Sequence, residues 1–142
     1  MDAIVMLKED HKRVEQLFKK LEKGELAVVP EICEALTLHA ELEEMLFYPE
    51  VREEVEDSAA EVAEAVEEHH VVKLLISELR GLDEANEAYK AYKATVLMEL
   101  VRHHVEEEEG EMFPEVRSTL GRKRLQEIGE QMASMKEKAT AA

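Results

Sequence analysis

The segment "LTLHAELEEMLFYPEV" (residues 36–51) contains a histidine, a glutamate four residues later, and an aromatic residue followed by proline. The segment "LVRHHVEEEEGEMFPEV" (residues 100–116) repeats that order with the same spacing. The two pairs are His39 with Glu43 and His104 with Glu108. Because residues four positions apart lie on one face of an α-helix, the repeat predicts two helices that each present an imidazole beside a carboxylate.

A second duplication precedes each of these segments. The stretch "DHKRVEQLFKKL" (residues 10–21) aligns without gaps with "EHHVVKLLISEL" (residues 68–79), and apolar positions fall on apolar positions. The alignment pairs His11 with His69. The chain is therefore predicted to form two helical hairpins, each with an acidic-His helix followed by a His-x-x-x-Glu helix.

Four segments carry apolar residues and histidines at alternating intervals of three and four, which indicates amphipathic helices. The four faces comprise Ile4, Leu7, His11, Val14, Phe18 and Leu21; Ile32, Leu36, His39, Glu43 and Leu46; Val66, His69, Val72, Ile76 and Leu79; and Tyr89, Val96 or Leu97, Leu100, His104 and Glu108. Isolated amphipathic helices are marginal in water, so these faces must bury one another.

Glycine and proline mark the expected helix ends. Gly24 ends the first helix and Gly81 the third. Pro30 suits the first turn of the second helix, and Pro49 is expected to kink or end that helix because proline donates no backbone N–H. The fourth helix is expected to begin near Asp83.

The start of the third helix and the last part of the chain carry their own signals. Ser58 is followed three residues later by Glu61, which predicts a capping box. Gly121 separates a final short amphipathic helix from the rest, and the last residues, "KEKATAA", are expected to fray.

These patterns predict an all-α fold, an antiparallel up-down-up-down four-helix bundle with a short C-terminal helix. The 142 residues suffice for one buried core, and a content of 37% charged residues with only 5 glycines fits long amphipathic helices. We expect residues 1–118 to form the bundle and residues 119–142 the short helix and frayed tail.

The charge balance limits the partners. A net charge of −16 repels nucleic acid and anionic lipid, so neither nucleic acid nor a membrane is an expected partner. The single cysteine, Cys33, allows no internal disulfide and fits a reducing compartment. No apolar run approaches a bilayer span and the first residues do not have the pattern of a signal peptide, so a cytoplasmic location is expected.

The inward histidines and glutamates indicate a metal site. A single histidine on an apolar face is more often a hydrogen-bonded core residue, and a run such as "EEEEGE" is usually a solvated face. All six histidines, however, lie in the four repeated windows, and buried carboxylates without a paired cation are costly. The duplications favour His69 over His70 and His104 over His103. Imidazole with carboxylate suits iron, zinc, copper or nickel, and this many ligands suits two metal ions.

The ordered series resembles a hemerythrin-like, HHE-type cation-binding domain. The resemblance rests on "DH" at 10–11, "HAELE…FYP" at 39–49, "EH" at 68–69 and "HVEEE…FP" at 104–114. It covers roughly residues 4–116 and implies a non-haem centre of two iron ions, bridged by an oxo or hydroxo group, in a four-helix bundle. The metal ligands that it implies are His11, His39, Glu43, His69, His104 and Glu108, with both glutamates bridging the irons.

The chain departs from the oxygen-carrying hemerythrins at one position. Those proteins have a further histidine four residues after the ligand of the third helix, and here that position is Lys73. This departure weakens the case for a pure reversible O₂ carrier. It favours an open coordination position on one iron, or one filled by water or by a nearby residue such as His70. Glu44 and Glu109 are either groups that orient a histidine or, as the somewhat favoured alternative, solvent-exposed charges.

Three functions are compatible with the sequence. The first is a di-iron domain that binds or reacts with O₂, peroxide or NO in sensing or stress protection, including catalase-like peroxide consumption. Its expected partner is thus a small diatomic or peroxide ligand. The alternative is an iron store or sensor without turnover. The third, an acidic bundle with incidental histidines, is the least favoured because six candidate ligands share one axis.

Overall fold

The computed structural model describes residues 1–82 and 87–141, with the side chains of Glu87 and Tyr89 left undescribed, and it is helical without a strand over that part of the chain. The helices are α1 (Ala3–Glu22), α2 (Val29–Leu42), α3 (Tyr48–Glu54), α4 (Ala59–Gly81), α5 (Glu87–Glu107) and α6 (Phe113–Ala141). A short 3-10 turn, Leu26–Val28, leads into α2. The all-helical expectation is confirmed. None of these helices is long and apolar enough to cross a bilayer.

Two apolar clusters form the core of the helical bundle. The first cluster includes Leu7, Leu42, Ala65 and Met112. The second cluster includes Val14, Leu36, Ile76 and Val101. Each of the four main helical segments has buried residues in both clusters. The predicted histidine of each segment lies between its residues of the first cluster and its residues of the second. The bundle therefore holds a polar layer between two apolar ones.

Two π turns interrupt the regular helices at the same place in each duplicated segment. The first spans Glu43–Phe47 and the second spans Glu108–Met112. In the first, the backbone N–H of Tyr48 donates to the carbonyl of Glu43, five residues earlier. The wider turn changes the backbone bonding just before Pro49, so the chain continues into α3 instead of ending. Pro49 was expected either to kink or to end the helix. The regular helix is interrupted before Pro49 but does not end there.

Two expectations about individual residues are wrong. Ser58 forms no capping box, because its Oγ donates to the carbonyl oxygens of Val51 and Val55 and not to the start of α4. On α5, Leu100 is exposed, whereas Leu97 is buried. The inward face therefore runs through Leu97 and not through Leu100. The expected start of the fourth helix near Asp83 and the side chain of Tyr89 lie outside the described residues.

The C-terminal helix packs on the first apolar cluster. Gly121 has φ 78° and ψ 172°, which breaks α6 at the expected residue, and glycine adopts this left-handed φ without strain. Beyond this break, Leu125, Ile128 and Met132 are buried against residues of α1. The helix continues to Ala141. The division at residue 118 stays a prediction.

Candidate metal centre

The six residues predicted to bind metal lie together in the polar layer. Their side chains are all buried. They are His11, His39, Glu43, His69, His104 and Glu108. They form two groups whose potential ligand atoms lie within 4.8 Å of one another, and Glu43 belongs to both. One group adds His11, His39 and Glu108, and the other adds His69 and His104.

The Nε2 atoms of the four imidazoles face the two carboxylates. Glu43 Oε1 lies 3.3 Å from Nε2 of His39 and 3.1 Å from Nε2 of His69. Glu108 Oε2 lies 3.0 Å from Nε2 of His104, and its Oε1 lies 3.2 Å from Nε2 of His11. Each carboxylate thus contacts one imidazole from each half of the chain.

The Nδ1 atom of each of the four imidazoles contacts a further carboxylate. Within each half, the acid that precedes the first histidine contacts the second one, with Asp10 3.0 Å from His39 and Glu68 2.6 Å from His104. Between the halves, Glu44 lies 2.8 Å from Nδ1 of His69, and Glu109 lies 2.6 Å from Nδ1 of His11. A carboxylate on Nδ1 fixes the ring and leaves Nε2 as the inward donor atom, which is the usual support of metal-bound histidine.

These contacts decide between the two interpretations of Glu44 and Glu109. Both carboxylates orient a histidine, so the alternative of a purely solvent-exposed charge is wrong. Asp10 and Glu68 were not predicted to have this role, although each immediately precedes a predicted ligand in the duplicated pair.

Tyr48 is a further residue of the site that the sequence patterns did not predict. Its ring is buried, and its hydroxyl donates to Glu108 Oε2 at 2.5 Å, while Glu43 Oε1 lies 3.2 Å from the same hydroxyl oxygen. The same oxygen lies 3.2 Å from Nε2 of His104. Burial and the nearby negative charges of the two glutamates raise the pKa of Tyr48 well above its usual value. The hydroxyl therefore keeps its proton and remains a donor.

Glu43 and Glu108 stabilise the protonated, positively charged form of His39 and His104 in the polar layer. Burial opposes the protonation of His39, but the charge of Glu43 and the hydrogen bond with Asp10 prevail and raise its pKa to about 10. Burial likewise opposes protonation of His104, yet its bonds with Glu108 and Glu43 raise the pKa to about 12. Burial alone would raise the pKa of Glu43, but the charge of His39 and the surrounding imidazole bonds hold it well below its usual range.

Two buried carboxylate oxygens receive no hydrogen bond. They are Oε2 of Glu43 and Oε1 of Glu108, and both are inaccessible to solvent. Oε1 of Glu108 lies 3.2 Å from Nε2 of His11 but accepts no hydrogen bond from it. Buried polar atoms without a hydrogen bond are rare and costly, and a cation bound between carboxylate and imidazole would satisfy both oxygens. No lysine or arginine contacts either oxygen among the hydrogen bonds and ion pairs of the described residues. The donor set and the unpartnered oxygens therefore fit a metal ion.

A small, largely apolar cavity of about 40 Å³ adjoins the four imidazoles. Its walls include Leu36, Ile76, Val101 and the side chain of Lys73. The ammonium of Lys73 lies 3.2 Å from Oε2 of Glu44, the oxygen that also contacts His69. The charge of Lys73 is therefore paired at the outer side of the layer while its side chain borders the cavity.

The two remaining histidines lie outside the centre. The side chain of His70 is 62% exposed and that of His103 is 63% exposed. His70 lies near Glu67, whereas His103 contacts Glu107 at 2.7 Å. The choice between neighbouring histidines that the duplications made therefore agrees with their positions, and His70 is not the group that stands in for the missing histidine ligand.

Comparison with known proteins agrees with this arrangement. The sequence model of the family described as hemerythrin HHE cation binding domain matches residues 2–116. The chain belongs to the hemerythrin HHE cation-binding family. Its buried histidine and glutamate groups are compatible with metal binding.

A curated relative of this HHE domain is a "DNA nickase" of Nostoc sp. (strain PCC 7120 / SAG 25.82 / UTEX 2576). The two are 25% identical over 138 residues, which include 94% of this chain. This chain spans only 38% of the length of that relative. No solved structure matches the chain.

Proposed function

We propose that this HHE domain holds a non-haem centre of two iron ions that binds or reacts with O₂, peroxide or NO. The observation that carries the proposal is the pair of buried carboxylate oxygens, on Glu43 and Glu108, that receive no hydrogen bond although four buried imidazoles surround them. Among the described residues no lysine or arginine contacts these carboxylates, and in the metal-free layer the raised pKa values of His39 and His104 supply the balancing positive charge. Metal ions bound among the imidazoles would take the place of those protons.

Two metal ions account for the donor set better than one. The buried donors fall into two groups that share Glu43, and Glu108 contacts imidazoles of both. Shared carboxylates are the usual bridges of a two-metal site, and imidazole with carboxylate suits iron among the redox metals. His11 and His39 would hold one ion, His69 and His104 the other. When bound, iron would supply the redox chemistry and the open coordination position that a small oxidant needs.

The proposed frame for this centre is the antiparallel up-down-up-down bundle. Along α1 the chain passes from the first apolar cluster to the second, from Leu7 to Val14, and along α2 it returns, from Leu36 to Leu42. The same alternation recurs along α4 and α5. Alternating directions across one polar layer support this topology and explain how each helix delivers one imidazole.

The residues around the inner donors prepare the site for ligand chemistry. The four outer carboxylates fix the imidazoles with Nε2 inward, so little reorganisation is needed on metal binding. Tyr48 keeps a proton on its hydroxyl between the two carboxylates, where it can donate a hydrogen bond to an oxygen of a bound ligand.

The cavity favours small ligands. A volume of about 40 Å³ exceeds the roughly 10–15 Å³ that one water needs, and therefore suits a diatomic molecule or a peroxide. Lys73 stands where oxygen carriers of this family have a further histidine, and its ammonium is occupied by Glu44. A protonated amine does not ligate metal, so the open position favours peroxide or NO chemistry over long-lived storage of O₂.

Peroxide consumption by wild type, Lys73→His and Lys73→Met tests the proposal. Protein loaded with iron should show charge-transfer absorption and remove hydrogen peroxide. Lys73→His should slow this removal and lengthen the life of an O₂ adduct, whereas Lys73→Met, which supplies no imidazole, should not. If wild type holds O₂ reversibly for hours and leaves peroxide untouched, the chain is a carrier. If it binds iron but reacts with none of the three ligands, it is an iron store or sensor.

The net charge of −16 bears on partners. The DNA nickase relative is named for an action on DNA, but a surface this negative repels phosphate backbones. We therefore assign no nucleic acid and no membrane as a partner, and we place the protein in the cytoplasm, where a lone cysteine stays reduced.

A further inference from the structure

An acidic groove of about 380 Å³ lies beside the second half of the centre. One wall is the start of α4, where Glu61, Glu64 and Glu68 follow one another at helical spacing. The other wall is the end of α5 and the following π turn, with Glu107 and Glu111. No lysine or arginine lines this groove among the described residues.

The inner end of the groove is formed by residues of the centre itself. His104 and Glu108 both line it. Glu108 is 2% exposed, and its Oε1 is one of the two buried oxygens that receive no hydrogen bond. This buried carboxylate, with one oxygen that accepts no hydrogen bond, distinguishes the groove from an ordinary solvated acidic face, because it places a potential ligand of the centre at the end of a path lined by further carboxylates.

A third group of potential metal ligands adjoins the same groove. Glu68, His103 and Glu107 bring donor atoms within 4.8 Å of one another. Glu68 and Glu107 line the groove, and the exposed His103 adds an imidazole at 2.7 Å from Glu107. Glu68 also contacts His104 in the centre, so this outer cluster is one residue away from the inner donors.

The negative charges that line the groove repel one another. Partial burial and repulsion by Glu115, Glu111, Glu107 and Glu64 raise the pKa of Glu61. A cleft of one sign concentrates ions of the opposite sign and accelerates their association. A cation bound in the groove would relieve this repulsion.

We propose that this groove, with the cluster of Glu68, His103 and Glu107, is the route by which a divalent transition-metal cation reaches the buried centre. The inference rests on the proposed metal-binding function. The mixed imidazole and carboxylate donors of the outer cluster suit the same class of cation as the centre, so the cluster captures the ion and the groove passes it to His104 and Glu108.

The rate of metal uptake tests the route. Full-length protein freed of metal with a chelator is mixed with Co²⁺, whose visible absorption reports binding, in a stopped-flow spectrometer at low and high salt. The double variant Glu64→Gln/Glu111→Gln should take up Co²⁺ about tenfold more slowly than wild type at low salt and respond less to added salt. Its final Co²⁺ content should equal that of wild type.

Two matched controls separate the groove from general charge. Glu130→Gln/Glu137→Gln removes the same charge from exposed residues outside the groove and should leave the uptake rate near that of wild type. His103→Ala should slow uptake, and His70→Ala, at an equally exposed histidine, should not. Equal rates for the groove variant and its control, with full metal content, would overturn the route alone. Wild type that binds no Co²⁺ would overturn both the route and the proposed function.

Discussion

The two halves of the centre share one plan, and two of the differences between them lie directly beside the donors. In each half, an acid before the first histidine holds the second histidine, and a π turn begins at the carboxylate. Tyr48 of the first half, however, corresponds to Phe113 of the second. Asp10 of the first half is covered by Lys136 of the C-terminal helix, whereas its counterpart Glu68 faces the acidic groove.

These differences separate the placement of the donors, which is the same in both halves, from features that occur in one half only. The duplicated residues place the imidazoles and carboxylates, and such placement can be identical in both halves. A proton donor is placed on one side only, by Tyr48. The other asymmetry opens one outer carboxylate to cations and neutralises its counterpart with a lysine. The symmetric part thus fits metal binding, and the asymmetric part fits reactivity and loading.

The largest expected effect separates the inward histidines from the outward ones. His39→Ala and His104→Ala each remove a buried donor and should lower the bound iron far below that of wild type. His70→Ala and His103→Ala should keep the full content after equilibration, because these side chains are exposed. Metal analysis of the four purified variants makes the comparison. Equal losses in all four would show that the helical register is wrong.

A smaller effect is expected from the carboxylates that link the halves. Glu44→Gln and Glu109→Gln weaken the support on Nδ1 of His69 and His11, and should each reduce metal affinity by about 10- to 100-fold. Competition with a chelator measures this affinity. Glu41→Gln, an exposed neighbour on α2, should leave it unchanged. A clear difference between Glu44→Gln and Glu109→Gln would break the proposed symmetry of the two halves.

The burial and grouping of the six predicted ligands were predictable because repetition fixed the helical register. Two gap-free duplications chose one histidine from each adjacent pair, and helical spacing then placed all six donors inward. The role of Tyr48 was not predictable from regular spacing. Five residues advance about 500° along an α-helix, which would turn Tyr48 well away from Glu43. The π turn brings the fifth residue back toward that face, and no rule of α-helical periodicity anticipates it.

The outer groups show a second limit of sequence reasoning. Glu44 and Glu109 were recognisable as candidates, but whether they contact a histidine depends on how helices of different halves pack. The prediction of a capping box at Ser58 was wrong for a similar reason. The hydroxyl of Ser58 donates instead to backbone carbonyls at the end of α3. Local patterns give the face of a helix, while partners across helices follow from packing.

Tyr48→Phe should make the first half resemble the second at this position. Loss of the hydroxyl removes a donor from two buried carboxylates and should lower the free energy of unfolding of chelator-treated protein by about 1–3 kcal/mol. Urea denaturation measures the change. Tyr92→Phe, at a residue that is 71% exposed, is the control and should change stability little. An unchanged stability in Tyr48→Phe would contradict the assigned hydrogen bonds.

The smallest effect concerns the charge stored in the groove. Because the folded-state pKa of Glu61 is raised, repulsion in the folded state opposes folding at neutral pH and is relieved as pH falls through that pKa. Glu61→Gln should therefore stabilise the protein at pH 7 by a few tenths of a kcal/mol, since the group is only partly buried and solvent screens the repulsion. The gain should vanish below about pH 4.5, where both states are protonated. A pH-independent gain would assign the effect to something other than this charge.

The central claim is that a buried layer of four imidazoles and two carboxylates holds two iron ions. Anaerobic titration of metal-free, full-length protein with Fe²⁺, followed by calorimetric melting at each point, tests it most directly. The account predicts saturation at two iron ions per chain and a melting temperature that rises with iron, because the ions bind the folded state. Identical melting curves with and without iron, together with no bound iron, would contradict the account and leave a structural bundle with incidental histidines.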